Sequence, residues 1–355
     1  MRQLKILKEE REQRLNKYLL RKLPDAPSSF VYKMLRKKNI TLNGKKASGS
    51  ELLQEGDLVT LFLSDETIRG FGGRLPGESK AGTSDRKDDG NLQEFMSAYK
   101  AVGSRIGREG ILYEDENVLA VRKPVGVLSQ KSAPSDLSMN EWLVGYLLEK
   151  GKISPESIRQ FRPSVSNRLD RNTGGIQLCA VSLQGARIMA QLLRDRSLRK
   201  FYQAVVVGKM DKGGRIDGYL EKDRAANAVT FTKTGESKDR KANQRGSFTK
   251  TIYRPLLTGD HFSLMEMELI TGKTHQIRSH LASTGHPIAG DPKYGDIQLS
   301  KKLREKYGLR GQMLWCSRVE FPQMNGEFAA LSHRIITCDP PALYRDLVRQ
   351  QNFAF

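Results

Sequence analysis

Cysteine is scarce in this chain: its 355 residues hold three, Cys179, Cys316 and Cys338, with no C-x-x-C pair among them. That excludes a disulfide framework and a cysteine-rich zinc site. Long apolar runs are missing as well. No stretch approaches the ~20 residues that a membrane-spanning helix needs. The opening residues, Met1 to Glu10, show no signal-peptide core, so a reducing cytoplasm is the expected setting. Acidic residues are outnumbered, 40 against 60 Lys and Arg, for a formal charge of +20. A surplus of that size predicts a polyanionic partner, nucleic acid ahead of an acidic membrane surface. The membrane fits less well, because no amphipathic helix joins a wide apolar face to the positive charge. Internal repeats are also lacking, and nothing demands more than a monomer.

What is present falls into three stretches: a small module over 1–65, a flexible linker over 66–108, and a large domain over 109–350. The linker is poorest in core residues, and from Gly70 to Gly90 it offers almost nothing to bury. Leu92 to Val102 is expected to form a short helix within it. In the first module Leu15, Leu19 and Leu20 keep helical spacing, as do Val31, Met34 and Leu35. Ile40 to Leu42 then starts a strand that turns at Asn43-Gly44, a strong hairpin signal, and Leu58 to Leu63 reads as a second strand. Lys33, Arg36, Lys37, Lys38, Lys45 and Lys46 cluster without an intervening acid. A run of charge is often only a solvated face. Here a helix ends in the cluster and a basic turn returns to it, which suits tracking a phosphate backbone.

The motifs Arg14-Leu-Asn-Lys-Tyr-Leu, Tyr32-Lys-Met-Leu-Arg-Lys-Lys-Asn-Ile, Leu42-Asn-Gly-Lys-Lys and Leu53-Gln-Glu-Gly-Asp-Leu-Val resemble the small RNA-binding domain of the ribosomal protein S-four type. The resemblance covers most of 12–63 and implies recognition of structured RNA by shape and phosphate contacts.

From Gly110 onward strands and helices alternate, which indicates an α+β domain with a mixed sheet. Ile111 to Pro124 gives two short strands around an acidic turn. Gly175 to Val181 alternates like a strand with Ile176, Leu178 and Ala180 on one face. Ser182 is placed to cap a helix with an apolar stripe at Leu183, Ala186, Ala190 and Leu193, and Phe201 to Val207 is a further strand. Between Asp223 and Lys250 the chain turns polar, with Lys233, Lys238, Arg240, Lys241, Arg245 and Lys250 against Glu236 and Asp239. That stretch reads as a basic loop touching RNA, or as a merely solvated one.

Several familiar chemistries fail on spacing. Gly272-Lys273-Thr274 lacks the phosphate-loop glycine five residues earlier, where Met267 stands, and Leu75 replaces the third glycine of a dinucleotide fingerprint at Gly70, Gly72 and Gly73. His275 and His280 are five apart with His286 nearby, and no carboxylate lies at helical spacing, so no metal site is expected. Asp170 in Ser166-Asn-Arg-Leu-Asp-Arg-Asn-Thr-Gly-Gly175 has Asn172 where a haloacid-type phosphatase needs a second aspartate. Taken alone, that segment is an ordinary turn.

Three further segments alter its meaning: Arg122-Lys-Pro-Val-Gly-Val, Lys200-Phe-Tyr-Gln-Ala-Val-Val-Val-Gly, and Thr271-Gly-Lys-Thr-His-Gln-Ile-Arg-Ser-His-Leu, the last continuing through Gly285-His-Pro-Ile-Ala-Gly-Asp-Pro-Lys-Tyr-Gly. With the Asp170 turn, they resemble the RluA family of pseudouridine synthases from about Tyr113 to Gly295, and more loosely to Thr337. The resemblance implies a largely antiparallel mixed sheet with a central cleft. It implies Asp170 as the essential aspartate, Tyr202 as the active-site tyrosine and Arg278 as the aspartate's partner. Arg168 is similar to the arginine that helps hold the nucleotide out of its helix. Lys123 and Pro124 are expected to help wall the cleft, and Thr173, His275 and Gln276 to bind substrate. The pattern departs at Asn167, where histidine is usual, and at Gly174, where serine is usual, which bears on the support of the Asp170 loop.

Chemistry gives those roles a reason. Isomerising uridine breaks a carbon–nitrogen glycosidic bond, turns the base and rejoins it through ring carbon five. A carboxylate acts on the sugar or base; burial favours its neutral form, and an arginine in bidentate contact restores the charge. A tyrosine beside the base takes or relays the departing proton. Electrons and groups balance within the substrate, so no cofactor is required. The uridine must be flipped out of folded RNA at a cost of a few kcal/mol. Family members with the extra module mostly resemble enzymes of large-subunit ribosomal RNA, the expected substrate. Transfer RNA, a non-catalytic RNA-binding or ribosome-assembly protein, and a hydrolase releasing the base are the alternatives.

Overall fold

A computed structural model describes residues 1–7, 10–73, 85–223, 228–234 and 246–350. The chain divides into two compact units, Met1–Asn91 with Ser154–Arg162, and Leu92–Ile153 with Pro163–Phe355.

In the first unit β1 (Arg2–Lys5), α1 (Leu15–Lys22), α2 (Ser28–Arg36), β2 (Ile40–Leu42), β3 (Lys45–Lys46), β4 (Leu58–Leu61) and α3 (Asp65–Gly70) surround one apolar core. Leu15, Leu19, Val31, Met34 and Leu35 are buried in it, at the helical spacing of the sequence. The sheet runs β1-β4-β2-β3, and β1 is a strand that its mostly polar residues do not announce. Asn43 (φ 50°) and Gly44 (φ 72°) both take the left-handed conformation of a tight hairpin turn, which pairs Leu42 with Lys45. The six cations of the cluster are all exposed on α2, its exit and this hairpin.

Two expectations for the middle stretch change. Helix α4 (Asp85–Ile106) occupies much of the region expected to be a linker, and it reaches beyond Leu92 to Val102 at both ends. Phe95, Ala98, Val102 and Ile106 are buried along it at spacings of three or four residues, so the second unit begins at Leu92. The polar run Asp85-Arg-Lys-Asp-Asp-Gly-Asn ahead of them pulls the composition of the region toward that of a linker. The linker residues 74–84 lie outside the described part.

The second unit adds β5 (Ile111–Glu114), β6 (Val118–Lys123), α5 (Met139–Glu149), β7 (Ser164–Val165), β8 (Gly174–Ala180), α7 (Leu183–Arg194), β9 (Arg199–Val207), β10 (Gly214–Asp223), β11 (Ala228–Lys233), β12 (Ser247–Thr258), β13 (Phe262–Leu269), α8 (Gln276–Ser283), α9 (Ile297–Tyr307), β14 (Leu314–Glu320), β15 (Ile335–Thr337) and α10 (Leu343–Arg349). Helix α6 (Pro155–Gln160) falls with the first unit. The large sheet runs β11-β10-β12-β13-β9-β14-β8-β6-β5, with β15 beside β14 and β7 beside β8. It is mixed and mostly antiparallel; β14 and β8 run parallel.

Strand β8 is buried on both faces, where the sequence suggests one apolar face. Ile176 and Leu178 join the main core with β9 and α7, while Cys179 faces a second core with Leu119, Val121 and Trp142. Helix α7 starts at Ser182 as expected, its hydroxyl accepting from Gly185 N–H at 2.9 Å. Its buried stripe is Gly185, Met189 and Leu192, however, rotated by one residue from the expected one. The helix rests on its glycine: a Cβ at Gly185 would lie 2.0 Å from the Asn117 carbonyl oxygen. Hydropathy cannot register a contact made by a missing side chain. The basic loop is largely outside the described residues, including Glu236, Lys238, Asp239, Arg240, Lys241 and Arg245.

Candidate active site

The parallel pair β8–β14 begins at the edge of a cleft, which Thr173, just before β8, and Leu314, the first residue of β14, help to line. Trp315 pairs with Gly174 and Cys316 with Gly175, and on its other edge Cys316 pairs with Tyr202 of β9. Gly175 has φ 101°, and a Cβ there would meet the Cys316 carbonyl oxygen at 2.1 Å. Gly174 is as constrained, since a Cβ would sit 2.3 Å from the Trp315 ring. The glycine that departs from the family's serine therefore makes room for Trp315. These two glycines let the chain enter β8 directly from the Asp170 turn. The cleft is lined by Arg168, Leu169, Asp170, Thr173, Tyr202, Leu269, Lys273, His275, Gln276, Ile277, Arg278 and Leu314.

At its centre Arg278, buried on α8, donates from Nη1 to Asp170 Oδ2 at 3.1 Å. Its bidentate partner is a different residue. Nε and Nη2 donate to the two oxygens of Asp291 at 2.7 and 2.9 Å. The expected fork between Arg278 and Asp170 is thus corrected: the planar guanidinium is fixed from behind by Asp291, and Nη1 is the nitrogen that reaches Asp170. Asp291 is fully buried, yet its pKa is lowered. Burial opposes that shift, and hydrogen bonds and charge from Arg278, with the N–H groups of Lys293 and Tyr294, outweigh it. Asp291 and Tyr294 lie in the Gly285–Gly295 motif but draw no role from the sequence. The available signal is an aspartate just past the arginine's helix, in a turn with nothing else to neutralise that cation.

Tyr202 is buried against the cleft, and its hydroxyl pairs with the Cys316 thiol. Burial, then the neighbouring Cys316 and Asp170, pushes its pKa well above the usual value, so the phenol keeps its proton. His275 precedes α8 in the left-handed conformation, φ 56°. Its Nδ1 lies 2.9 Å from the Tyr294 hydroxyl and its Nε2 is 3.9 Å from Asp170 Oδ2. Burial lowers its pKa against the opposing charge of Asp170, which favours the neutral ring.

Other expected contacts turn inward. Lys123 is fully buried and donates to the carbonyls of Pro124, Val127 and Arg171 at 3.1, 2.6 and 3.1 Å. Burial pulls its pKa down to about 7, with Asp170 opposing. Lys123 staples the Asp170 turn from below and, like Pro124, is not part of the cleft lining. Gln276 lines the cleft but uses its amide on Thr271, the Lys273 N–H, the Lys250 carbonyl and Thr251. Thr173 accepts from Gln312 at 3.2 Å. Sequence spacing reports which residues share a motif; it does not report which way a side chain turns. Arg168, by contrast, is exposed at the rim.

Asn167 shows how the turn is supported without the usual histidine. Its Oδ1 accepts from Leu178 N–H and Gln177 Nε2, both at 2.7 Å. Ser129 Oγ accepts from Leu169 N–H at 2.9 Å and donates to Gln177 Oε1 at 2.8 Å. This buried network pins both residues that flank Arg168. Among the described residues, no cluster of His, Cys, Asp or Glu is poised to hold a metal ion, and no helix is long and apolar enough to cross a membrane.

The profile of the RNA pseudouridylate synthase family matches residues 117–283. The chain is 30% identical over 289 residues to ribosomal large subunit pseudouridine synthase C of Rickettsia bellii, covering 81% of this chain and 84% of that protein. The Haemophilus influenzae protein of the same name is 28% identical over 343 residues, 94% of this chain and 92% of its own. Synthase D of Borreliella burgdorferi is 34% identical over 195 residues, 54% of this chain and 56% of that protein. In fold, the human RNA pseudouridylate synthase domain containing 4 is similar, with TM-score 0.52 and 22% identity, covering 71% of this chain and 95% of that one. The chain belongs to the RNA pseudouridylate synthases, isomerases that convert uridine to pseudouridine in RNA.

Proposed function

We propose that the chain isomerises uridines of large-subunit ribosomal RNA in the cytoplasm, as a monomer, through Asp170, Arg278 and Tyr202. The observation that carries this reading is the Asp170 carboxylate at the base of an open cleft, paired with an Arg278 whose other face is spent on Asp291. The substrate rests on the relatives' names, which are those of large-subunit synthases C and D.

Asp170 opens the reaction by acting on the flipped nucleotide, and the Arg278 N–H holds its carboxylate in place. Tyr202, protonated at rest, relays the proton that leaves ring carbon five after the new bond forms. Arg168 stands at the rim to replace the uridine in its helix. His275, Lys273, Thr173 and the apolar Leu269, Ile277 and Leu314 surround the base. The module over 1–65 is of the ribosomal protein S-four type and grips structured RNA through Lys33, Arg36, Lys37, Lys38, Lys45 and Lys46, a run of exposed cations matched to phosphates.

The test is tritium release from uridine labelled at ring carbon five, built separately into large-subunit ribosomal RNA and transfer RNA. Release from ribosomal RNA, absent with Asp170→Ala, is expected. Release from transfer RNA alone would overturn the substrate, and free uracil among the products would make the protein a hydrolase.

A further inference from the structure

Among the described residues, strand β11 is the edge of the large sheet, and the outward N–H of an edge strand has no sheet partner. In this chain one such donor is occupied. Val229 N–H donates to the Tyr294 hydroxyl at 3.0 Å. That hydroxyl is also 2.9 Å from His275 Nδ1. Because the phenol oxygen accepts from Val229, its own hydrogen is free to point at Nδ1, and this arrangement satisfies all three groups. Nδ1 is then the bare nitrogen of a neutral imidazole, and the ring proton sits on Nε2. Nε2 is the atom that faces Asp170 Oδ2, at 3.9 Å, a gap too long for a hydrogen bond and short enough to close by a small movement.

The opposite tautomer would aim a lone pair at the carboxylate. It would also leave the Tyr294 proton without a protein partner among the described residues. His275 holds its ring there in spite of the left-handed backbone at φ 56°, a conformation that costs a residue with a side chain about 1 kcal/mol or more unless its surroundings impose it. Tyr294 supplies part of that imposition. Its ring lies edge-on to His275, centroids 5.6 Å apart, and under the Arg278 guanidinium at 5.1 Å.

We propose that Tyr294 is a positioning residue of this isomerase: anchored by the Val229 N–H, it fixes His275 as the tautomer that presents a donor to the Asp170 carboxylate. A chain of hydrogen bonds thereby runs from the sheet edge to the reacting group. The inference rests on the reading of Asp170 as the group that opens the reaction, and its test separates the two.

The measurement is nitrogen NMR of the whole protein with labelled histidine. His275 is one of five histidines, and its signals are assigned by their disappearance in His275→Gln. The wild type should show Nε2 protonated and Nδ1 bare. Tyr294→Phe keeps the ring under Arg278 and removes only the hydroxyl. In that variant both His275 tautomers should appear, and kcat for tritium release should fall about tenfold or more, the scale of one missing hydrogen bond. KM for RNA should stay within about twofold, since the substrate's own partners are all kept. Thermal melting of the variant confirms that it folds. A wild-type His275 protonated on Nδ1, or a Tyr294→Phe protein with unchanged tautomer and unchanged kcat, would sink the proposal. If the wild type releases no tritium from either RNA, the proposed function fails, while the NMR spectra still decide whether Tyr294 sets the tautomer.

Discussion

Two aspartates share Arg278, and their substitution should have opposite consequences. The Asp170 side chain is 28% exposed and Asp291 is fully buried. Asp170→Asn removes one partly solvated ion pair, so stability should shift by under about 1 kcal/mol. Tritium release should drop by roughly a thousandfold or more if Asp170 is the reacting carboxylate, as the proposed function has it. Asp291→Asn keeps the shape and takes away the charge that balances a buried guanidinium. Urea melts should then lose about 3 kcal/mol, with activity falling as the guanidinium is freed from its fixed plane. Equal losses of stability in both variants would contradict this division. Only half of the arrangement is legible in the sequence. Arg278 and Asp170 stand in motifs with recognisable neighbours. Asp291 matters through burial, which residue spacing does not record.

At the scale of the element, α8 carries its own acid sensitivity. His280 is buried on this helix, its Nε2 3.0 Å from the Thr249 hydroxyl and its ring against Phe231. Burial pulls its pKa down to about 4. The unfolded value is near 6.5, so between the two the unfolded chain holds the extra proton. Stability is therefore complete above about pH 6.5 and is lost as pH falls toward 4, by up to about 3 kcal/mol. Urea melts from neutral pH downward should show that slope, and His280→Leu should flatten it; an unchanged slope would assign the acid sensitivity elsewhere. Elements themselves are largely readable. The Asn43-Gly44 turn, the β5–β6 pair, β9 and the start of α7 at Ser182 stand where local chemistry puts them. The departures have one cause. The phase of α7 is decided by a glycine resting on Asn117, and the double burial of β8 by two separate cores, both long-range facts.

At the scale of the whole molecule, the small first module carries 14 Lys and Arg against 8 acids in residues 1–65, a dense share of a positive surplus that extends along the rest of the chain. On the proposed function, the six exposed cations of the first unit hold RNA and take no part in bond making. Replacing Lys37, Lys38, Lys45 and Lys46 together by alanine should weaken RNA binding and make it less sensitive to salt. The slope of log affinity against log salt should shrink by ~0.7–0.9 for each phosphate left without its cation. The rate at saturating RNA should hold. A lower saturated rate with an unchanged salt slope would place those lysines in catalysis and take them out of binding. This cluster is plain from the sequence, because a basic run beside a hairpin needs no tertiary information to be recognised. The bounds of the catalytic unit are not, since α4 joins it through four scattered apolar residues.

The bond between Arg278 and Asp291 also sets what the cleft admits. Arg278 is shared by two carboxylates, so the three groups together leave one net negative charge in the cleft, beside an uncharged His275 and above the buried Lys123 amine. Positive charge waits at the mouth, on Arg168 and Lys273. On the proposed function, such a cavity should act as an electrostatic sieve that holds phosphates outside on Arg168 and Lys273 and lets the neutral uracil ring pass inward.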